Sequence, residues 1–425
     1  MIAVAVTLAV LMIIGIPIAF VFGMAGVAGV VSERFDLINV PQRMFFGVDQ
    51  FVLMAAPFYI LAGDLMNRGG ITDRLINLSI ILVGRIRGGT AYATVISSIL
   101  FAGISGTAIA DMAALGKVFI RGMPKEGYTK EFAAAVTCAG SIIGPIIPPS
   151  VIMVLYASMV NISPLPLFLG GVVPGLLLGG ACALIVAFKG RGGRLPRSNV
   201  KVERAAVPRL IVDGVLVASL PAMIVIGTMS GAFTATEAGG IAVAYAALIG
   251  AYVFRDLTWK SLMESLQGAA RMTASVFFLI ACANIVTYIL VLGGITEWTA
   301  SLGNVFKGQP QLFLVACIIA FLVIGCFLDA GAALLIAGPF LLPIARSMGI
   351  DDTHFSIVMI VAVTLGLITP PVGLCLFVAC KIAETTMGKL LKEMWPFIVA
   401  EISVVFVLAF FPLLSTGLPK LLLGR

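Results

Sequence analysis

Charge is scarce in this chain. Only 11% of its 425 residues are Asp, Glu, Lys or Arg, 60% are hydrophobic, and the mean hydropathy is +1.14. A soluble domain of this length needs far more charge to cover its surface. Histidine is nearly absent: His354 stands alone, in a predicted loop beside Asp351 and Asp352. Intramembrane histidine pairs for haem are therefore excluded. None of the seven cysteines (Cys138, Cys182, Cys282, Cys317, Cys326, Cys375, Cys380) belongs to a CxxC pair, and all lie in apolar runs. They read as small packing residues rather than as metal ligands or disulfides. No HExxH motif and no nucleophile–base pairing is present, so the chain is not read as an enzyme.

Long uncharged runs take the place of charge. Residues 2–32, 132–188, 272–296 and 355–380 carry none. A membrane span needs about 20 apolar residues, so these are membrane segments, and the longest holds two. The first lacks a basic n-region and is too long for a signal peptide, so it is read as a retained helix. The fold class expected is an all-α polytopic membrane protein. Positive charge gathers in residues 189–209, where Lys189, Arg191, Arg194, Arg197, Lys201, Arg204 and Arg209 face one acid, Glu203. The positive-inside rule makes this a cytoplasmic loop rather than a patch for nucleic acid or lipid. Lys420 and Arg425 put the C-terminus inside, and the uncharged start puts the N-terminus outside.

The chain also repeats itself. Residues 103–155 align without gaps on residues 325–377 at an offset of 222. Six of the ten identities are Gly or Pro: Gly103/Gly325, Gly116/Gly338, Gly127/Gly349, Gly144/Gly366, Pro148/Pro370 and Pro149/Pro371. Apolar residues coincide readily in such a composition, whereas six helix punctuators in one register do not. Duplication of this kind is typical of secondary transporters, and matched interruptions point to the binding site.

Each repeat has two interruptions. In the first, arms at 90–104 and 108–120 flank Gly103, Ser105 and Gly106, and each arm is too short to cross about 30 Å of hydrocarbon. They read as a re-entrant hairpin. The second repeat places arms at 311–328 and 332–345 around a tip at Asp329 to Gly331. Arg85, Arg87, Arg121, Lys125 and Lys130 flank the first hairpin; Lys307, Arg346, Asp351 and Asp352 flank the second. The first is thus expected to open inward and the second outward, which makes the repeats inverted. The other interruption is Gly144-Pro145-Ile146-Ile147-Pro148-Pro149-Ser150, matched by Gly366-Leu367-Ile368-Thr369-Pro370-Pro371-Val372. Paired prolines remove N–H donors and open the helix, and the freed carbonyls need a partner. A cation, a neighbouring helix and water all qualify.

Oxygen dominates near these breaks: Ser105, Thr107 and Asp111 at the first tip, Asp329 at the second, Ser150 and Thr369 in the broken helices. Hydroxyls, carbonyls and at most one carboxylate per site suit sodium, whereas proton coupling rests on chains of acids or histidines. Asp329 is the stronger functional acid; Asp111 either serves a site or braces the hairpin. Arg271 reads as a candidate carboxylate contact or as a side chain snorkelling to the interface. Arg68 and Arg74 belong to a Gly-Gly loop, where folding explains them as well as substrate contact. Glu237 has no assigned place.

Three runs together resemble the large membrane subunit, DctM type, of tripartite ATP-independent periplasmic (TRAP) transporters, over essentially the whole chain. They are Gly63-Asp64-Leu65-Met66-Asn67-Arg68-Gly69-Gly70-Ile71, Gly103-Ile104-Ser105-Gly106-Thr107-Ala108-Ile109-Ala110-Asp111, and the Gly144 to Ser150 break. The resemblance implies an elevator-type scaffold and a transport domain of two hairpins and two broken helices, in the bacterial inner membrane. It implies one sodium site near Ser105, Gly106, Thr107, Gly144 and Pro145, and a second near Asp329, Gly366 and Thr369, with no organic cofactor. The organic anion, of sialic acid or C4-dicarboxylate type, would lie between the tips, with Ser105, Asp111, Ser150 and Arg271 as candidate contacts. A periplasmic substrate-binding protein and a separate small four-helix subunit are the implied partners. The organisation expected is scaffold at 1–84; a first transport repeat at 85–188, with hairpin 88–122 and broken helix 132–158; and a basic loop at 189–213. Scaffold follows at 214–304, then a second transport repeat at 305–385, with hairpin 308–346 and broken helix 355–380, and a C-terminal helix at 386–425. An anion channel and a sodium/dicarboxylate symporter without a binding protein are the alternatives.

Overall fold

The computed structural model describes residues 2–84, 86–193, 195–197, 207–294, 305–306 and 308–424, without the side chains of Gly103, Ile104, Ser105, Gly192 and Val207. Arg85, Arg194, Lys201, Glu203, Arg204, Lys307, Arg425 and the Ser105 side chain thus lie outside the description. The described chain is all-helical. Among the described residues, seven helices are long and apolar enough to cross a membrane, or eight if Asn39–Val48 and Phe51–Arg68, bent by 60° at their junction, form one span. The protein is a multi-pass membrane protein.

One group of helices is held together by arginines. Ala235–Leu248 and Trp259–Leu292 pack on Ala55–Arg68, and Val207–Met229 packs on Ile71–Val83. Arg68 binds Asp64 on its own helix (2.9 Å) and Glu264 on Trp259–Leu292 (2.5 Å). Arg74 reaches Asp256 (2.7 Å) and Asp213 (3.7 Å) and lies over the Phe254 ring. The Gly69-Gly70 pair makes room for this. A Cβ on Gly69 would lie 3.2 Å from Gly250 Cα, and Gly70 has a left-handed φ of +73° beside the Asp256 carboxylate. The N-terminal helices form a separate apolar seam. Gly26 and Gly29 of Ile18–Ser32 let Ile285 and Ile289 of Trp259–Leu292 approach closely, so that a Cβ at either position would meet them at 2.7 to 2.8 Å. Small residues at such crossings are how membrane helices associate.

The other group contains the repeats. The first hairpin is Gly89–Ser105 and Ala108–Gly122; the second is Pro310–Phe327 and Ala330–Ser347. The second arm of the latter is longer than the 332–345 read from sequence. At 18 residues each, its arms run about 27 Å, so by length and composition both qualify as spans. The broken helices are Lys130–Ser141 with Val151–Met159, and Asp352–Gly366 with Leu374–Ala383.

Matched positions of the repeat take matched conformations. Gly127 (φ +96°) and Gly349 (φ +76°) both turn the chain left-handed after a hairpin. Two residues on, Thr129 and Asp351 each cap a broken helix, Thr129 accepting from Phe132 N–H and Asp351 from Thr353 and His354 N–H. Pro148–Pro149 and Pro370–Pro371 are both cis. Ion pairs close the periphery of this group: Lys189 with Glu393, and Arg346 bidentate to Asp352 at 2.8 Å.

A close backbone crossing joins the second hairpin to the second broken helix. A Cβ on Gly366 would stand 2.5 Å from Gly325 Cα, backbone against backbone. Gly366→Ala is expected to destabilise the solubilised protein by about 1–3 kcal/mol, the cost of overpacking a closed contact. Gly388→Ala, where the added methyl meets nothing within 4 Å, is expected to be neutral; thermal unfolding in detergent compares the two.

Candidate ion and substrate site

Each hairpin tip lies against the broken helix of its own repeat. At the first tip, Gly106 turns left-handed (φ +64°) and Thr107 is extended. A Cβ on Gly106 would sit 3.0 Å from Val151 N, so only glycine lets the tip reach the start of Val151–Met159. The break itself is held by Ser150. Its hydroxyl donates to the Pro145 carbonyl (2.6 Å) and accepts from Met153 N–H (3.3 Å). Asp111, one turn along the hairpin's second arm, is fully buried. Its Oδ2 lies against Gly144, where an added Cβ would overlap it. A carboxylate is thus pressed onto the backbone of the break.

The second tip repeats the plan with different atoms. Asp329, the repeat mate of Thr107, is an exposed N-cap that accepts from Gly331 N–H (2.9 Å). Cys326, in the last turn before the tip, accepts from Gly373 N–H at its carbonyl (3.0 Å), and its thiol approaches the Pro370 carbonyl (3.6 Å). Thr369 donates to the Leu365 carbonyl (2.8 Å).

The repeats also interlock. Val151–Met159 of the first packs on Ala330–Ser347 of the second, and Leu374–Ala383 of the second packs on Ala108–Gly122 of the first. The matched glycines Gly338 and Gly116 lie at these crossings, against the Tyr156 ring and against Ile382 (3.0 Å from an added Cβ). Cys375, fully buried at the start of Leu374–Ala383, is in hydrogen-bond contact with Ser141 and within electrostatic reach of both Asp111 and Asp329.

The donor set fits a hard cation. A hydroxyl that donates its proton keeps its lone pairs, and a carbonyl accepting one hydrogen bond keeps a second lone pair. Thr369, Ser150 and Pro145 therefore retain coordinating capacity while holding the breaks in shape. No cluster of three His, Cys, Asp or Glu that would hold a transition metal occurs among the described residues.

Beside the first tip is a cavity of about 250 Å³ between the two helix groups. Thr107 and Ala110 of the hairpin form one wall; Asp64, Asn67 and Arg68 form another; Ala269 and Met272 form a third. Arg271 is exposed on Trp259–Leu292 and is not part of that lining. The stretch 272–292 that follows it is by itself about 32 Å long, enough to cross the hydrocarbon, so Arg271 stands at the edge of a span. Ser150 is wholly buried in the break. The sequence reads Cys375 as packing, and leaves Arg68 open between loop folding and substrate contact. Glu401 was missed: fully buried in Met387–Phe410, its Oε1 accepts from the Cys182 thiol at 3.0 Å. A lone acid in the otherwise uncharged 394–419 stretch was the available signal.

Residues 5–414 match the family described as the tripartite ATP-independent periplasmic transporter, DctM component. The chain belongs to this family. Its relatives include the 2,3-diketo-L-gulonate TRAP transporter large permease protein YiaN of Escherichia coli (32% identical, covering 94% of each chain). The C4-dicarboxylate large permease DctM of Pseudomonas aeruginosa is 35% identical (89% of this chain, 88% of that one). The sialic acid large permease SiaM of Vibrio cholerae is 34% identical (97% of each). In fold, the chain is similar to the Alcanivorax borkumensis YdaH transporter, with a TM-score of 0.61 and 18% identity over 88% of this chain and 87% of that one. The protein is thus a TRAP permease for an organic substrate, one component of a tripartite system, and not an enzyme.

The contact between Asp111 and Gly144 is open to a direct test. Gly144→Ala is expected to lower stability in detergent by about 1–3 kcal/mol through displacement of the carboxylate. Asp111→Ala combined with Gly144→Ala is expected to lose less than the sum of the single variants, since the two groups touch. Simple additivity in thermal unfolding would show that they do not.

Proposed function

We propose that this DctM chain carries out sodium-coupled uptake of a small organic anion across the bacterial inner membrane, the anion being delivered by a periplasmic substrate-binding protein. The observation that carries the proposal is the pairing of each hairpin tip with the proline break of its own repeat. Such pairing gathers carbonyls, hydroxyls and single carboxylates at two related places. The first sodium site is assigned to Ser105, Gly106, Thr107, Gly144 and Pro145, and the second to Asp329, Gly366 and Thr369. The unequal acids fit two unequal sites: Asp329 stands at the second tip, while Asp111 presses on the first break from a buried position.

The two hairpins and two broken helices are proposed to move as one body against the arginine-tied scaffold, in the manner of an elevator. The interlocked packing supports this, because neither repeat moves without the other. A helix N-terminus follows each tip, at Ala108 and Ala330, and its partial positive charge favours an anion nearby. The small four-helix subunit is assigned to a separate chain that steadies the scaffold. The relatives named for C4-dicarboxylates, sialic acid and 2,3-diketo-L-gulonate support this reading of the substrate as a carboxylate with further oxygen functions.

The test is uptake into proteoliposomes holding the permease with its small subunit, supplied with its binding protein and succinate, sialic acid or 2,3-diketo-L-gulonate. Uptake of one of the three is expected only under an inward sodium gradient. Asp329→Ala is expected to reduce it at least tenfold and to abolish its sodium dependence. Sodium-independent flux at channel rates would overturn the proposal, and unchanged sodium dependence in Asp329→Ala would overturn the second site.

A further inference from the structure

Arg68 lines the cavity between the two helix groups, and two acids from different helices hold its guanidinium. Its Nε is fixed by Asp64 of the same helix at 2.9 Å, a partner at i,i+4 spacing that orients the guanidinium. Its Nη1 is held by Glu264 of Trp259–Leu292 at 2.5 Å. Glu264 is the more open of the two acids, its side chain 46% exposed against 33% for Asp64. A guanidinium has five N–H donors in a planar fork, and these two contacts use two of them. Exposed ion pairs contribute only about 0–1 kcal/mol, so Glu264 is released at little cost.

The cavity wall around Arg68 has the composition of a binding site. Asn67 holds its carbonyl oxygen against the Thr72 hydroxyl (3.1 Å), which fixes the amide plane, and no hydrogen bond among the described residues uses its Nδ2. Thr107, at the hairpin tip, faces the same space, and Met272 and Ala110 supply apolar surface. A few convergent polar groups on an otherwise apolar wall are the usual form of a small-molecule site.

We propose that Arg68 is the scaffold's receptor for a carboxylate of the transported anion: the carboxylate takes the place of Glu264 on the fork, Asp64 keeps the fork oriented, and the Asn67 amide donates to a second oxygen of the same molecule. The inference rests on the transport reading given above and deepens it. Glu264 then acts as a resident competitor. It occupies the Nη1 position while the cavity is empty, and an incoming anion must displace it. Because Thr107 belongs to the hairpin and Arg68 to the scaffold, the anion bridges the two groups only in the arrangement seen here.

The test compares Arg68→Gln with Glu264→Gln in the same proteoliposomes, measuring KM for whichever of the three anions the unmodified protein takes up. Arg68→Gln is expected to raise KM about tenfold or more, the worth of a lost charged hydrogen bond. Glu264→Gln is expected to lower KM about two- to threefold, because the competitor is gone. A bridge that only held the two helices together would be broken equally by both variants, and KM would move in the same direction in each. That result, or an unchanged KM in Arg68→Gln, overturns the inference while leaving sodium-coupled uptake intact. Failure of the unmodified protein to take up any of the three anions overturns the transport reading and this inference together.

Discussion

A helix opened at membrane depth exposes carbonyls and amides that hydrocarbon cannot satisfy. The rest of this structure is organised around that constraint. Two helices are opened, each at a Gly-to-Pro-Pro break, and each break is closed by protein rather than left to lipid. Ser150 takes the Pro145 carbonyl, and Gly373 gives its N–H to Cys326. Hairpin tips are brought up to the breaks by glycines that leave no room for a side chain, Gly106 against Val151 and Gly325 against Gly366. The groups that remain after this internal satisfaction are oxygens with spare lone pairs, which is what a cation site requires. The atoms that repair the breaks are thus the ones to which the proposed ion sites are assigned.

The interlocking of the repeats follows from the same economy of space. Each broken helix gives its first half to its own hairpin and its second half to the hairpin of the other repeat. Cys375 shows the consequence, since it comes from the second repeat yet lies beside Ser141 of the first and within reach of Asp111 and Asp329. The arginine-tied group packs on the first hairpin where Ile71–Val83 meets Gly89–Ser105, and elsewhere it faces that hairpin across the cavity at Thr107.

Much of this was legible in the sequence. The uncharged runs indicated an all-helical membrane protein, and the 222-residue offset located paired breaks, because Gly and Pro restrict backbone conformation wherever they occur. Gly127 and Gly349 turn left-handed in the structure for that reason. Other features were not legible. An offset alignment says that two segments are alike, not that each packs on its counterpart's hairpin, so the positions of Cys375, Gly116 and Gly338 came only from the fold. Arg68 stayed open between loop folding and substrate contact because its partner Glu264 lies 196 residues away. Glu237 had a readable signal that was not used. Thr234 and Glu237 form a capping box at the start of Ala235–Leu248, the Thr-x-x-Glu signature of a helix N-terminus.

The central claim is that hairpins and broken helices form one unit that moves against the scaffold. Spin labels on Ala114 and Gly268, on facing walls of the cavity, test it most directly by pulsed dipolar distance measurement in nanodiscs. Against a cysteine-replaced background, the account predicts two distances differing by on the order of 10 Å, a fraction of the roughly 30 Å hydrocarbon thickness. Sodium and anion should shift the populations between them, while a pair of labels on Val118 and Lys381, both within the moving unit, keeps one distance throughout. A single, ligand-independent distance between Ala114 and Gly268 would contradict it.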